Sequence, residues 1–243
     1  FPTDRMEVPF SFVDFLRGKL KLNRLDQDAD RYLLAFLEHS KFKNYKREVC
    51  MKLAYHYYLI GNEEKYGFYR DLVATYPKAT TNRDREADVE RERPYEPHRE
   101  LLKARHLVSG EYYERAFSSL SKVDTGDLDR EAYLAEYFLL KGKVKSNLSD
   151  DGEAMEWYDK AIKIGRNSKE QYAAEAALYA GMEAQAKGEP GKAIDYWELA
   201  LKINGQKDVY IEYIHDKANN LLSKNGNGKH TRYQASMAKV LGD

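Results

Sequence analysis

Glu-Ala-Met-Glu-Trp-Tyr-Asp-Lys-Ala-Ile-Lys-Ile, residues 153–164, returns in altered form as Lys-Ala-Ile-Asp-Tyr-Trp-Glu-Leu-Ala-Leu-Lys-Ile at 192–203. Upstream of each lies a second matching segment, Tyr-Phe-Leu-Leu-Lys-Gly at 137–142 and Ala-Leu-Tyr-Ala-Gly at 177–181. Gly142 corresponds to Gly181, Ala154 to Ala193, Tyr158 to Trp197, Ala161 to Ala200 and Ile164 to Ile203, all at one offset of 39 residues. A constant offset over five positions is the mark of a tandem repeat.

Each copy reads as two apolar helical segments joined by a turn. The turns are Ser149-Asp150-Asp151-Gly152 in the first copy and Lys187-Gly188-Glu189-Pro190-Gly191 in the second. Small residues fall where two helices must come close, so Gly142 is expected to face Ala154, and Gly181 to face Ala193. A large aromatic one turn later fills the remaining space. Such a pair cannot bury its apolar face alone and needs neighbours.

The spacing resembles that of the tetratricopeptide repeat family. Ala154-Tyr158-Ala161 and Ala193-Trp197-Ala200 match its small–aromatic–small second helix, and Gly142 and Gly181 stand twelve residues before the first Ala. The family unit is about 34 residues, so the longer offset implies an insertion, placed at 165–169. The resemblance implies an all-α protein, a right-handed α-solenoid of stacked antiparallel helix pairs. About five repeats and a C-terminal capping helix are expected over residues 1–224. The clear repeats are 131–165 and 170–204. Weaker ones cover 10–40, 45–77 and 98–124, the capping helix is 209–223, and 225–243 reads as a flexible tail or short helix. A second resemblance, over 15–26, 52–66, 101–105 and the two repeats, is to the C-terminal half of tetratricopeptide proteins of Bacteroidota. It carries no functional residues.

Within the weaker part, Phe10, Phe12, Val13, Phe15, Leu16, Leu20 and Leu22 form an apolar stripe with Gly18 inside it. Gly61-Asn62-Glu63-Glu64-Lys65 resembles the family turn, with Tyr66 where Ala is usual. Residues 78–97 break the pattern. The mixed-charge run from Arg83 to Arg93, followed by Pro94 and Pro97, is expected to be a short exposed helix or solvated linker, because mixed charge at helical spacing describes a solvated face.

Lys and Arg number 40 and Asp and Glu also 40, interleaved along the chain. This balance gives no reason to expect nucleic acid or an anionic membrane as partner. No stretch approaches the roughly 18 apolar residues of a membrane span, so no membrane insertion is expected. The chain begins at Phe1 and shows no signal peptide, which reads as a processed form or an excised piece. The compartment stays open between cytoplasm and bacterial periplasm. Cys50, the one cysteine, is expected to be a buried core residue and excludes an internal disulfide. The six histidines match no metal or catalytic motif, although His98 and His106 could share a helix face. Phosphate-binding loops, dinucleotide fingerprints and nucleophile elbows are absent from the sequence. No cofactor, metal or enzymatic activity is therefore expected. The 20 tyrosines are read chiefly as core fillers, a few of them exposed.

The resemblance implies binding of a protein or peptide along the concave face, with the first helices supplying the contacts. In the two clear repeats the corresponding positions are Glu136, Leu139, Lys143 and Ser146, then Glu175, Leu178, Met182 and Gln185. Leu139, Leu178 and Met182 are expected to be exposed apolar contacts. Family members that hold a C-terminal carboxylate use Lys, Asn and Arg at such positions. Leu139, Leu178, Lys143 and Met182 depart from that pattern, so a carboxylate clamp is not expected there. The leading expectation is a non-enzymatic interaction scaffold. The alternatives are a peptide-sensing regulator and an accessory module of a larger enzyme.

Overall fold

The computed structural model describes residues 11–77, 81–148, 152–203 and 208–225. These residues form an all-α protein, without a strand among them. Twelve α-helices are described: α1 (Ser11–Asn23), α2 (Ala29–His39), α3 (Lys46–Leu59), α4 (Glu63–Leu72), α5 (Asn82–Glu92), α6 (Arg99–Ser109), α7 (Tyr113–Leu120), α8 (Glu131–Leu148), α9 (Glu153–Gly165), α10 (Tyr172–Ala186), α11 (Pro190–Lys202) and α12 (Val209–Lys224). None is long and apolar enough to cross a membrane. The expected tail, apart from Asn225, and the turn residues 149–151 lie outside the described residues.

Local chemistry sets the helix starts. The Asn62 side chain accepts the Lys65 amide at the start of α4, and Thr81 accepts the Asp84 amide at the start of α5. Asp208 accepts two amides at the start of α12. Each satisfies amides that have no partner within the helix. Pro190 opens α11, where its missing N–H costs nothing. Gly188 turns the chain before it with φ of +74°, a conformation that L side chains rarely adopt.

Consecutive helices pair: α1 with α2, α3 with α4, α6 with α7, α8 with α9 and α10 with α11. Neighbouring pairs meet through α2 on α3, α3 on α6, α7 on α8 and α9 on α10, and α12 rests on α11. The first helix of every pair carries a buried small residue: Gly18, Ala54, Ala104, Gly142 or Gly181. Gly181 meets Ala193 as expected, and the nearest neighbours of Gly142 and Gly181 are the large aromatic rings. A β-carbon on Gly142 would run into the Tyr158 ring, and one on Gly181 into the Trp197 indole and the Ala193 carbonyl. Tyr158 and Trp197 are the largest fully buried side chains, and only a bare Cα leaves room for them.

One register governs contact between pairs. Residues five before, two before and two after the small residue turn to the preceding pair. In α8 these are Tyr137, Leu140 and Val144, buried against Leu101, Leu107, Ala116 and Leu120 of α6 and α7. In α10, Tyr179 stacks on Tyr158 and Glu183 accepts a hydrogen bond from Ser146. In α6, Arg99 bonds Glu63, Leu102 is buried with Cys50 and Met51, and His106 meets Tyr55. The same positions in α1 are Val13, Leu16 and Leu20, and all three are exposed. Of the expected α1 stripe, Phe15 and Leu22 are buried. Cys50 is buried, as read from its neighbours.

The charged run requires a correction. It does form a helix, α5, but one that packs on α3 with Asp84, Ala87 and Glu90 buried. The residue before α3, Tyr45, is left-handed and gives the helix no side-chain cap. Asp84 supplies the cap from α5, accepting the amides of Tyr45 at 2.6 Å and Glu48 at 2.9 Å. Arg47 of α3 in turn pairs with Asp88. α5 also reaches α12, where Arg85 bonds Glu212 at 2.7 Å and Glu90 accepts the Tyr210 hydroxyl at 3.0 Å. Partners in three dimensions, invisible to periodicity, make burial of this helix affordable.

Candidate binding cavity

α1, α3, α5, α6, α8, α10 and α12 all contribute to one cavity of about 480 Å³. That volume falls in the range of small-ligand sites, about 300–1,000 Å³. Its lining mixes ionic and aromatic groups, and most of the ionic ones are already paired.

Glu90 is the centre of the largest network. Its carboxylate accepts from the hydroxyls of Tyr55 and Tyr210 and lies 3.2 Å from Arg93 and 3.4 Å from Arg105. Burial pushes its pKa up, but Arg93, Arg105 and the two tyrosines outweigh burial and hold it at about 2. Arg105 also pairs with Glu136 at 2.6 Å and donates to Tyr172 at 3.1 Å. Arg93 donates to Tyr172 and to Gln171. Every charge here is compensated and hydrogen-bonded, the condition under which buried ions are tolerated. The arrangement fixes α5, α6, α8 and α10 against one another around the cavity.

Elsewhere in the lining Lys143 pairs with Glu175 at 2.6 Å and lies 4.4 Å above the Tyr179 ring. Burial lowers its pKa, but Glu175 and Tyr179 raise it further, so it stays charged. Lys52 lies 3.4 Å from Glu48, and Arg83 bonds Glu86 at 2.7 Å. Lys19 differs from these cations. Among the described residues its amine has no hydrogen bond or ion pair. Burial, then repulsion from Lys52, lowers its pKa, with Arg83 adding to this and Glu48 and Glu86 opposing. It sits one turn from Asn23, whose side-chain oxygen lies 3.3 Å from His106 Nδ1. Burial, then Lys52 and Arg105, drives the His106 pKa well below the ordinary value, so the ring is neutral.

Of the sequence-derived positions, Glu136, Leu139, Lys143, Glu175 and Leu178 line the cavity. Ser146 instead bonds Glu183, Gln185 bonds Asn225, and Met182 is half-buried outside the lining. Leu139 and Leu178 are buried, which corrects the expectation that they offer exposed contacts. Leu139 and Leu178 belong to the large apolar core of α8–α12. His98 and His106 do not form a shared site: His98 packs on Tyr133, and His106 on Tyr55. No group of side chains suited to a metal ion occurs among the described residues.

Lys19, Tyr55, Glu90, Arg105 and Tyr172 were not singled out by sequence reasoning. Lys19 and Asn23 did carry a usable signal, since they lie four apart on a first helix, each one residue after a buried apolar-face position, Gly18 and Leu22. Glu90 carried none, because nothing local separates it from Glu86 or Glu92. The chain matches no protein-family model, no curated protein and no solved structure.

Proposed function

We propose that this chain is a right-handed α-solenoid of the tetratricopeptide type, about five helix pairs closed by α12, that acts without catalysis. In this reading the cavity is its concave face, and it binds a peptide or a segment of a partner protein. The repeated register of small residues and the pairwise helix contacts support the solenoid reading. The observation that carries the binding reading is Lys19, a cation with no hydrogen bond or ion pair among the described residues, in a cavity whose other charges are paired. A segment bearing a carboxylate complements it, since an ionic hydrogen bond in a partly desolvated site is worth about 1.5–3 kcal/mol. The balanced composition supports a protein partner over nucleic acid.

The test is an array of immobilised decapeptides, acidic and neutral, probed with wild-type protein and with Lys19→Glu. Wild type should retain a set of acidic peptides, and Lys19→Glu should lose them by about tenfold or more with unchanged helicity by circular dichroism. Equal retention by both proteins, or none by wild type, overturns the reading.

A further inference from the structure

Two further groups share the Lys19 end of the cavity. Glu48 and His106 both line it, at 5% and 7% exposure, and each keeps one buried polar atom without a partner, Glu48 Oε2 and His106 Nε2. Glu48 is spoken for only at Oε1, by Lys52. With Nδ1 of His106 donating to Asn23 Oδ1, Nε2 is a bare acceptor. Leaving a buried polar atom unsatisfied is costly, and two such acceptors beside an amine that has no hydrogen bond or ion pair among the described residues make a specific demand. What fills this end must bring an anion for Lys19 and N–H donors for Glu48 and His106.

A mid-chain backbone amide meets that demand poorly, because it brings a single N–H and no positive charge for the Glu48 carboxylate. The ammonium of a free amino terminus meets it, and a free carboxylate answers Lys19. The volume sets the length. A sphere of 480 Å³ is about 10 Å across, and an extended chain covers at most about 3.5 Å per residue. Two or three residues fill it.

We infer that the cavity binds a small zwitterion, a free amino acid or a peptide of two to three residues, reading its ammonium with Glu48 and His106 and its carboxylate with Lys19. This inference rests on the reading of the cavity as a binding site. It differs from that reading in requiring both charged ends of one short ligand.

Isothermal titration with four probes tests it: trialanine, N-acetyl-trialanine, trialanine amide and free alanine. Trialanine should bind, and each capped form should bind about tenfold more weakly or worse. Free alanine binding as well as trialanine assigns the site to amino acids; weaker binding assigns it to peptides. Lys19→Met should remove the preference for trialanine over its amide. Glu48→Gln should remove the preference over the acetylated form, and retained helicity shows that the variant folds. Acetylated trialanine binding as tightly as trialanine overturns the inference while leaving the cavity a binding site. Silence from all four probes, with acidic decapeptides still retained on the array, likewise overturns only the inference. Silence in both experiments overturns both readings.

Discussion

In α1, Leu16 and Leu20 are 44% and 66% exposed, while in α5, part of the chain's densest run of charge, Asp84 and Glu90 are buried. The two helices invert the usual relation between polarity and burial. Each is explained by what lies across from it. α5 meets amides, arginines and tyrosines that match its carboxylates one by one. α1 turns three apolar residues toward a side where, among the described residues, no preceding helix pair stands. In α8 the same register positions are buried. Burial follows from having a complementary neighbour, and side-chain type only states which neighbour is needed.

The strongest way to break this account is to unmatch α5. Glu90→Ala leaves Arg93 and Arg105 facing a cavity without their shared carboxylate. Removing one member of a buried ion network costs about 3–5 kcal/mol, and urea unfolding should show a loss of that size. The network also predicts acid sensitivity. The folded pKa of Glu90, about 2, is depressed below its ordinary 4.5. Its stabilisation is therefore full above pH 4.5 and lost as the pH falls from there toward 2. A Glu90→Gln variant should lack this component, so its stability should vary less with pH over that window. A loss under about 1 kcal/mol for Glu90→Ala would mean that α5 is held without the Glu90 network, by its apolar contacts and the Asp84, Asp88 and Arg85 ties.

A second break concerns the register itself. Leu140→Ala removes a side chain buried against α6 and α7, and large-to-small changes of this kind cost about 2–5 kcal/mol. Thermal or urea unfolding measures it. A near-neutral result would mean that α8 does not rest on the preceding pair through this face.

The all-α class, the helix pairs and the buried aromatics of α9 and α11 were legible because they depend on spacing within one or two helices. Ala154, Tyr158 and Ala161 announce a helix face by themselves. The role of α5 was not legible. Asp84 is a cap only because the start of α3, some forty residues earlier, is brought beside it, and Glu90 is tolerated only because Tyr210 and Arg105 converge on it. Half of the candidate site shows the same divide. Glu136, Lys143 and Glu175 follow from repeat position, whereas the isolation of Lys19 emerges only once every neighbouring charge has been assigned a partner. Leu139 and Leu178 sit where repeat position places them, yet the core of α8–α12 claims them before any ligand can.

The smallest effect sharpens the comparison most. Leu20 stands two residues after Gly18, just as Val144 stands two after Gly142, and the whole difference between them lies in the neighbour. Leu20→Ala should change stability by no more than about 0.5 kcal/mol, the range of surface substitutions away from specific features. The measurement is urea unfolding beside Leu140→Ala under identical conditions, so that the two ends of one register are read on one scale. If Leu20→Ala instead costs 2 kcal/mol or more, the α1 face is covered in the folded protein. If it is neutral, the register sets which residues face a neighbour, and the neighbour alone turns that facing into stability.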